Sequence, residues 1–308
     1  MIAMNSEADF LGTITATLGY GPKHLEPGKF HRFGPHKSGW AKLFTDCLGG
    51  VFGDYRQNLS SHWSARENQT PAELAAMRRQ TQQAMRAREA EQRGQWAKHS
   101  TSNATMWAAA QPAGDAVRSY LESRGLAGWC IPSCIRQHPG LAYWHTDDDG
   151  ELHKLGTFLA MLAPIVGSDG KLLAIHRTYL GNGCKADVPT PRKLTAAAGP
   201  LSGACIPLAA PRGGVIGVSE GIETAAAASL GSGLPVVAAY CANALSGFHW
   251  PRGVERLVIF ADNDPAGRQA AAMLVQRAGM AGLITKTLTP SKPGSDWADV
   301  YLEGKRHE

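Results

Sequence analysis

No run of apolar residues in the 308-residue sequence approaches the roughly 20 that a bilayer-spanning helix requires, so no membrane partner is expected. Paired cysteines are missing too. The six cysteines (Cys47, Cys130, Cys134, Cys184, Cys205 and Cys241) are scattered, and the nearest two, Cys130 and Cys134, are set three residues apart rather than the two of a zinc ribbon. No zinc is expected, and free thiols in a reducing compartment are the favoured reading. Cys47 with His31, His36 and His62 matches no standard ligand spacing either. A G-x-x-x-x-G-K-[ST] stretch is absent, which argues against a P-loop motor. Glu7 and Asp9 stand where a secretory signal would carry positive charge, so the chain reads as cytoplasmic.

Neither sign of charge dominates. With 31 Lys and Arg against 26 Asp and Glu, the net charge of +5 is compatible with a polyanionic partner without requiring one. A composition of 44% hydrophobic residues with 35 Gly and 18 Pro belongs to a globular protein rich in turns. The length allows two or three domains at about 100–200 residues each.

Punctuation divides the chain into four parts. Residues 1–65 form a small β-rich module, because residues 24–64 alternate short aromatic and aliphatic runs with Gly, Pro, Asn and Asp, the mark of a meander. Residues 66–112 form a charged helical linker opened by Thr70 as N-cap, Pro71 at the first helical position and Glu73 closing a capping box. Its apolar stripe is weak, so most of it faces water or another molecule. Residues 113–210 form a mixed α+β subdomain: Val117, Tyr120, Leu121 and Leu126 share a helical face with Gly125 suited to the C-terminal cap, and strands follow with "DDDG" and "SDG" as hairpin turns. Asp147, Asp148 and Asp149 are therefore turn residues rather than metal ligands.

Residues 211–308 alternate strand and helix. Strands at "GVIGV", "PVVAAY", "RLVIFA" and "LITKTL" are separated by helices at "TAAAASLG" and "PAGRQAAAMLVQRAG", with a last short helix near "DWADVYLEG". Apolar strands spaced this way predict a parallel sheet covered on both faces, whose ligand crevice lies at the carboxyl ends of the strands. Acidic residues stand at those ends: Glu220 after the first strand, Asp262 and Asp264 after "RLVIFA", and Asp296 and Asp299 after the last. Each carboxylate in such a group raises the pKa of the next, and a hard divalent cation with oxygen ligands relieves the repulsion. The pattern points to metal-assisted chemistry on a phosphate ester. For Asp264, capping the following helix with Pro265 at its first position is an equally physical role, and the two are compatible.

"VSEGIETA", then "IFADNDPAGRQAA", then "GSDWADVYL" resemble, in order and spacing, the Toprim domain, and the "EGIETA" form is similar to that of plasmid- and phage-encoded primases. "GKLLAIHRTYLGNGCKADVPTPRKLTAAAGPLSGACIPL" resembles the basic segment preceding Toprim in those primases, and "FHRFGPHKSGWAKLFTDCLGGVFGDYR" their N-terminal module; residues 66–112 match least. The resemblance implies an α/β fold, with a Toprim-like parallel sheet at the C-terminus, a basic α+β subdomain before it and the β-rich module at the N-terminus. It implies a DNA primase making short RNA primers on single-stranded DNA, with Glu220, Asp262 and Asp264 catalytic and the same three holding Mg²⁺ or Mn²⁺ together with Asp296. Arg177, Lys185, Arg192, Lys193 and Arg268 would contact template or nucleoside triphosphate. The missing zinc ribbon departs from replicative primases, and the missing P-loop means that any helicase is a separate partner. A metal-dependent Toprim nuclease is the first alternative. A non-catalytic single-strand-binding accessory protein, with Trp40, Trp63 and Trp96 stacking bases, is the second.

Overall fold

The computed structural model describes residues 2–65, 71–147 and 149–305. Thr70, on which the expected capping box depends, and Asp148 of the acidic turn lie outside them. The chain divides into two compact units, Met1–Arg93 and Gly94–Glu308.

The first unit contains the expected meander, four antiparallel strands in sequence order: β1 (His31–Phe33), β2 (Gly39–Leu43), β3 (Gly49–Asp54) and β4 (Leu59–Ser64). A helix that the sequence reading did not anticipate, α1 (Ile2–Leu18), precedes it. Its core side is Phe10, Ile14 and Leu18, one residue every fourth position, buried with Phe52 and Trp63 of the sheet. Gly12 and three threonines (Thr13, Thr15, Thr17) give this segment weak intrinsic helicity, and burial of that stripe offsets the deficit. Trp40 and Trp63 are 3% and 9% exposed. Both belong to the core and offer bases no face; Trp96 is half-buried.

The long helix α2 (Pro71–Ala109) contains the boundary between the units. In the second unit its C-terminal part is tied down by Asn103, which is buried and donates to the Leu173 and Ala196 carbonyls at 3.2 and 3.1 Å. There follow β5 (Gln111–Pro112), α3 (Asp115–Ser123), β6 (Arg136–Thr146), β7 (Leu152–Val166), β8 (Leu172–Gly181), β9 (Cys184–Lys185) and β10 (Arg192–Leu194). They build an antiparallel sheet ordered β10-β8-β7-β6-β5, with β9 pairing β8. Helix α3 ends as its sequence predicts. Gly125 takes φ +75°, its N–H reaches the Glu122 carbonyl at 2.8 Å, and the Leu126 N–H reaches Leu121 at 2.9 Å, a Schellman closure. At the acidic hairpin the Glu151 N–H donates to the Asp147 carboxylate at 2.8 Å and the Gly150 N–H to the Asp147 carbonyl at 3.1 Å.

The C-terminal part runs β11 (Val215–Ser219), α4 (Ile222–Ser232), β12 (Val236–Ala238), α5 (Ala242–Gly247), β13 (Arg256–Phe260), α6 (Pro265–Met280), β14 (Ile284–Leu288) and α7 (Trp297–Lys305). Its four strands are all parallel, in the order β12-β11-β13-β14. One face is covered by α5 and α6 through Leu245, Phe248, Leu274 and Ala278. The other face packs on α4 and shares a core with the antiparallel sheet, where Met161, Ile165 and Leu180 meet Ala225–Ala228 and Phe260. The fold is thus a mixed α/β architecture with a helix-flanked parallel sheet at its C-terminal end. Short α5 is an addition to the sequence reading.

Candidate active site at the acidic edge of the parallel sheet

Strand register brings the acidic steps level. Ser219 pairs with both Ala238 and Phe260, and Phe260 pairs with Leu288, so β11, β12, β13 and β14 end on one line. Glu220 follows directly after Ser219, and Asp262 two residues after Phe260. Both stand where parallel strands give way to helices and the backbone leaves the sheet.

The turn after β13 is built in layers. Asp264 is the N-cap of α6, its carboxylate accepting the Gly267 N–H at 2.7 Å, with Pro265 in the first turn. Gly267 is required by proximity: a Cβ there would stand 2.7 Å from the Asp262 carbonyl oxygen and 3.2 Å from the Asp262 Cβ. Between the two aspartates, Asn263 staples the loop that brings in the last carboxylate. Its side-chain amide donates to the Pro290 carbonyl at 2.8 Å, its backbone N–H donates to Ser295 at 3.0 Å, and its carbonyl accepts the Gly294 N–H at 2.8 Å. Asp296 and Asp299 then close a capping box on α7, the Asp299 N–H donating to Asp296 at 2.9 Å and the Asp296 N–H to Asp299 at 3.2 Å.

These turns line a cavity of about 300 Å³. Glu220, Asp262 and Asp296 contribute its acidic side, while Arg192 and Lys193 of β10 and His176 of β8 contribute from the antiparallel sheet. Asp264, Arg177, Lys185 and Arg268 do not line it. Asp264 acts on it through charge, raising the pKa of both Glu220 and Asp262. Arg177 is engaged with the Leu194 carbonyl at 2.7 Å and the Tyr179 hydroxyl at 3.3 Å, and Arg268 with the Asn263 side chain at 2.7 Å. Lys185 is half-buried, and burial together with the Arg192 cation lowers its pKa. Lys193 lies 4.3 Å from the centre of the Tyr143 ring and donates to the Trp144 carbonyl.

The electrostatics of the acidic side are those of crowded like charges. Burial first, then Glu220, Asp296, Asp264 and Asp299, push the Asp262 carboxyl up to about 7. Burial and Asp264 raise Glu220 as well. Asp262 Oδ1 is buried with no hydrogen-bond partner, an acceptor left open in a place where an open acceptor is costly. Among the described residues no group of three His, Cys, Asp or Glu is gathered tightly enough to hold a metal ion alone. The all-oxygen donors and the orphaned acceptor fit a hard divalent cation of the Mg²⁺ kind, which binds through one or two carboxylates and completes its shell with water and substrate phosphates.

His176 and Glu223 also line the cavity and were not singled out from the sequence. His176 is buried, and burial with nearby cations brings its pKa down to about 4, so its imidazole is neutral at pH 7. Glu223, 4% exposed, accepts hydrogen bonds from the Tyr120 hydroxyl and from Arg192 at 3.3 Å. Burial works to raise its pKa, and the Arg192 charge and Tyr120 hydrogen bond prevail, holding the carboxyl below its ordinary range. The available signal was a lone carboxylate in the first turn of an otherwise apolar, alanine-rich helix.

Residues 97–206 match a domain of unknown function (DUF7146), and residues 215–306 match the Toprim domain. No protein of curated function matches the chain. Among solved structures, the chain is similar to a DnaG primase catalytic domain bound to single-stranded DNA, at 18% identity over 70% of this chain and 78% of that one, TM-score 0.44. It is also similar to the zinc-binding and RNA polymerase domains of the Aquifex aeolicus primase, at 13% identity over 99% and 83%, TM-score 0.40. A third is the primase fragment of the bacteriophage T7 primase-helicase, at 16% identity over 61% and 66%, TM-score 0.36. With a parallel four-stranded sheet, a Glu-Gly step after one strand, an Asp-x-Asp step after its neighbour and a match to the Toprim family model, residues 215–306 have a Toprim-like layout.

Proposed function

We propose that the protein is a primase-like nucleotidyltransferase that joins ribonucleotides on a single-stranded DNA template. The observation that carries this reading is the cavity in which Toprim carboxylates face cations of the preceding sheet, since a nucleoside triphosphate needs both at once. A divalent cation held by Asp262 and Glu220, with Asp264 and Asp296 beside them, would neutralise the triphosphate and polarise its α-phosphorus. Glu220, its pKa raised by burial and Asp264, takes the proton of the 3′-hydroxyl as that oxygen bonds to the α-phosphorus, the bond from the α-phosphorus to the β-phosphate oxygen breaks, and pyrophosphate leaves. Arg192 and Lys193 receive phosphate oxygens on the opposite side. Base stacking on Trp40 and Trp63 has no support, because both are core residues.

The test is incubation of the purified chain with single-stranded DNA, labelled ribonucleoside triphosphates and Mg²⁺ or Mn²⁺, with products resolved on a gel. Short labelled oligomers that depend on template and metal are expected. Cut DNA without triphosphate consumption would transfer the same site to nuclease chemistry.

Asp264 has two roles that substitution separates. Asp264→Ser keeps an oxygen for the Gly267 N–H, so thermal stability is expected to hold within about 0.5 kcal/mol while primer synthesis falls; Asp264→Ala should lose activity together with about 1 kcal/mol. Full activity in Asp264→Ser would reduce the residue to a helix cap.

A further inference from the structure

Glu223 has no place in the acidic edge, and its burial calls for a reason. An uncompensated carboxylate in such a position would be strongly disfavoured. Glu223 sits in the first turn of α4, its side chain 6% exposed, two residues before the alanines that pack into the core shared with the antiparallel sheet. Two side chains reach it from distant parts of the chain. The hydroxyl of Tyr120, from α3 and 1% exposed, donates to Oε1, and the Arg192 Nη2, from β10, donates to the same oxygen at 3.3 Å. Tyr120 is locked by its surroundings. Arg192 differs: its side chain is 45% exposed and it lines the cavity that Glu220, Asp262 and Asp296 also line. A guanidinium has five N–H donors in a rigid fork, and the contact to Glu223 uses only part of them.

We propose that Glu223 is a positioning residue: fixed by Tyr120, its carboxylate holds the Arg192 guanidinium at the cavity so that the remaining donors receive a phosphate group opposite the acidic edge. The phosphate's belonging to a nucleotide rests on the nucleotidyltransferase reading; the geometry does not. Charge explains why the anchor is an acid. A neutral amide can accept one hydrogen bond from Arg192, but only the carboxylate adds the attraction that keeps a half-exposed arginine from swinging into solvent.

The experiment is a calorimetric titration of inorganic tripolyphosphate, with Mg²⁺ present, into the full chain and into Glu223→Gln, Tyr120→Phe, Arg192→Ala and the Glu223→Gln/Arg192→Ala pair. Glu223→Gln and Arg192→Ala are each expected to weaken binding about tenfold, and the double variant no further than Arg192→Ala alone, because both remove the same contact. Tyr120→Phe deletes one hydroxyl and is expected to weaken binding in the same direction, which keeps the test open should Glu223→Gln fold poorly. In primer synthesis the same changes should raise KM for the nucleoside triphosphate and leave kcat within about twofold, whereas a purely structural role would lower the active fraction and spare KM. Tripolyphosphate affinity unchanged in Glu223→Gln, additive losses in the double variant, or loss of Mg²⁺ binding itself in Glu223→Gln would each overturn the positioning role. If the tripolyphosphate pattern holds and no primers form, the role stands and the primase reading falls.

Discussion

Asp262→Asn is expected to reduce primer synthesis by on the order of 10³-fold, since it removes a carboxylate that would hold the divalent cation facing the triphosphate. The same change should alter how the metal-free protein responds to pH. The Asp262 carboxyl is pushed up to about 7 in the folded chain, against roughly 3.9 for an unfolded aspartate. Between those values the folded state holds a proton that the unfolded state has released, so stability falls as pH rises. This contribution is complete below about pH 4 and is lost as pH climbs through about 7. Thermal melting of metal-free protein across this window should therefore show a decline that Asp262→Asn flattens. At pH 8 the variant should melt above the parent without Mg²⁺, and added Mg²⁺ should raise the parent's melting temperature and not the variant's. Equal Mg²⁺ stabilisation of the two would remove Asp262 from the metal site.

Gly267→Val is expected to disable the site from behind. The new Cβ would stand 2.7 Å from the Asp262 carbonyl oxygen, a backbone atom fixed by the end of β13, so the first turn of α6 must move. Overpacking of this kind costs about 1–3 kcal/mol. The Asp264 cap, which depends on the Gly267 N–H, shifts with it. Displacement of catalytic carboxylates by even about 1 Å is worth on the order of 10² in rate. Gly279→Ala is the control: it lies in the same helix with nothing within 4 Å of the added methyl, and should gain up to about 1 kcal/mol with activity unchanged. Chemical denaturation and the primer assay check both, and an active Gly267→Val protein would mean that α6 can retreat without disturbing Asp262.

The acidic edge was legible because it is written in local punctuation. Apolar runs that stop on Glu220 and Asp262 mark strand ends, Asp264-Pro265 marks a helix start, and parallel order follows from the alternation of elements. Helix α1 was not legible, since Gly12 and its threonines argue against a helix and only contact with Phe52 and Trp63 makes one worthwhile. Nor could the sequence rank its cations. Arg177, Arg192 and Lys193 were assigned alike to template or triphosphate contact, and their separation, with Arg192 and Lys193 lining the cavity and Arg177 held away from it by the Leu194 carbonyl, came with the pairing of β10 on β8.

By itself, then, the sequence determined the parallel sheet, the edge at which its carboxylates collect and the chemistry such a collection suits, because strand ends and helix caps are decided within a few residues of themselves. Only the tertiary structure decided which cations face those carboxylates and that Glu223 serves Arg192 rather than the acidic edge. Tyr120 and Arg192 lie 103 and 31 residues away from Glu223 in the chain. A contact over such separations leaves no periodic mark. It exists because a buried charge must find its partner wherever packing of the two sheets provides one.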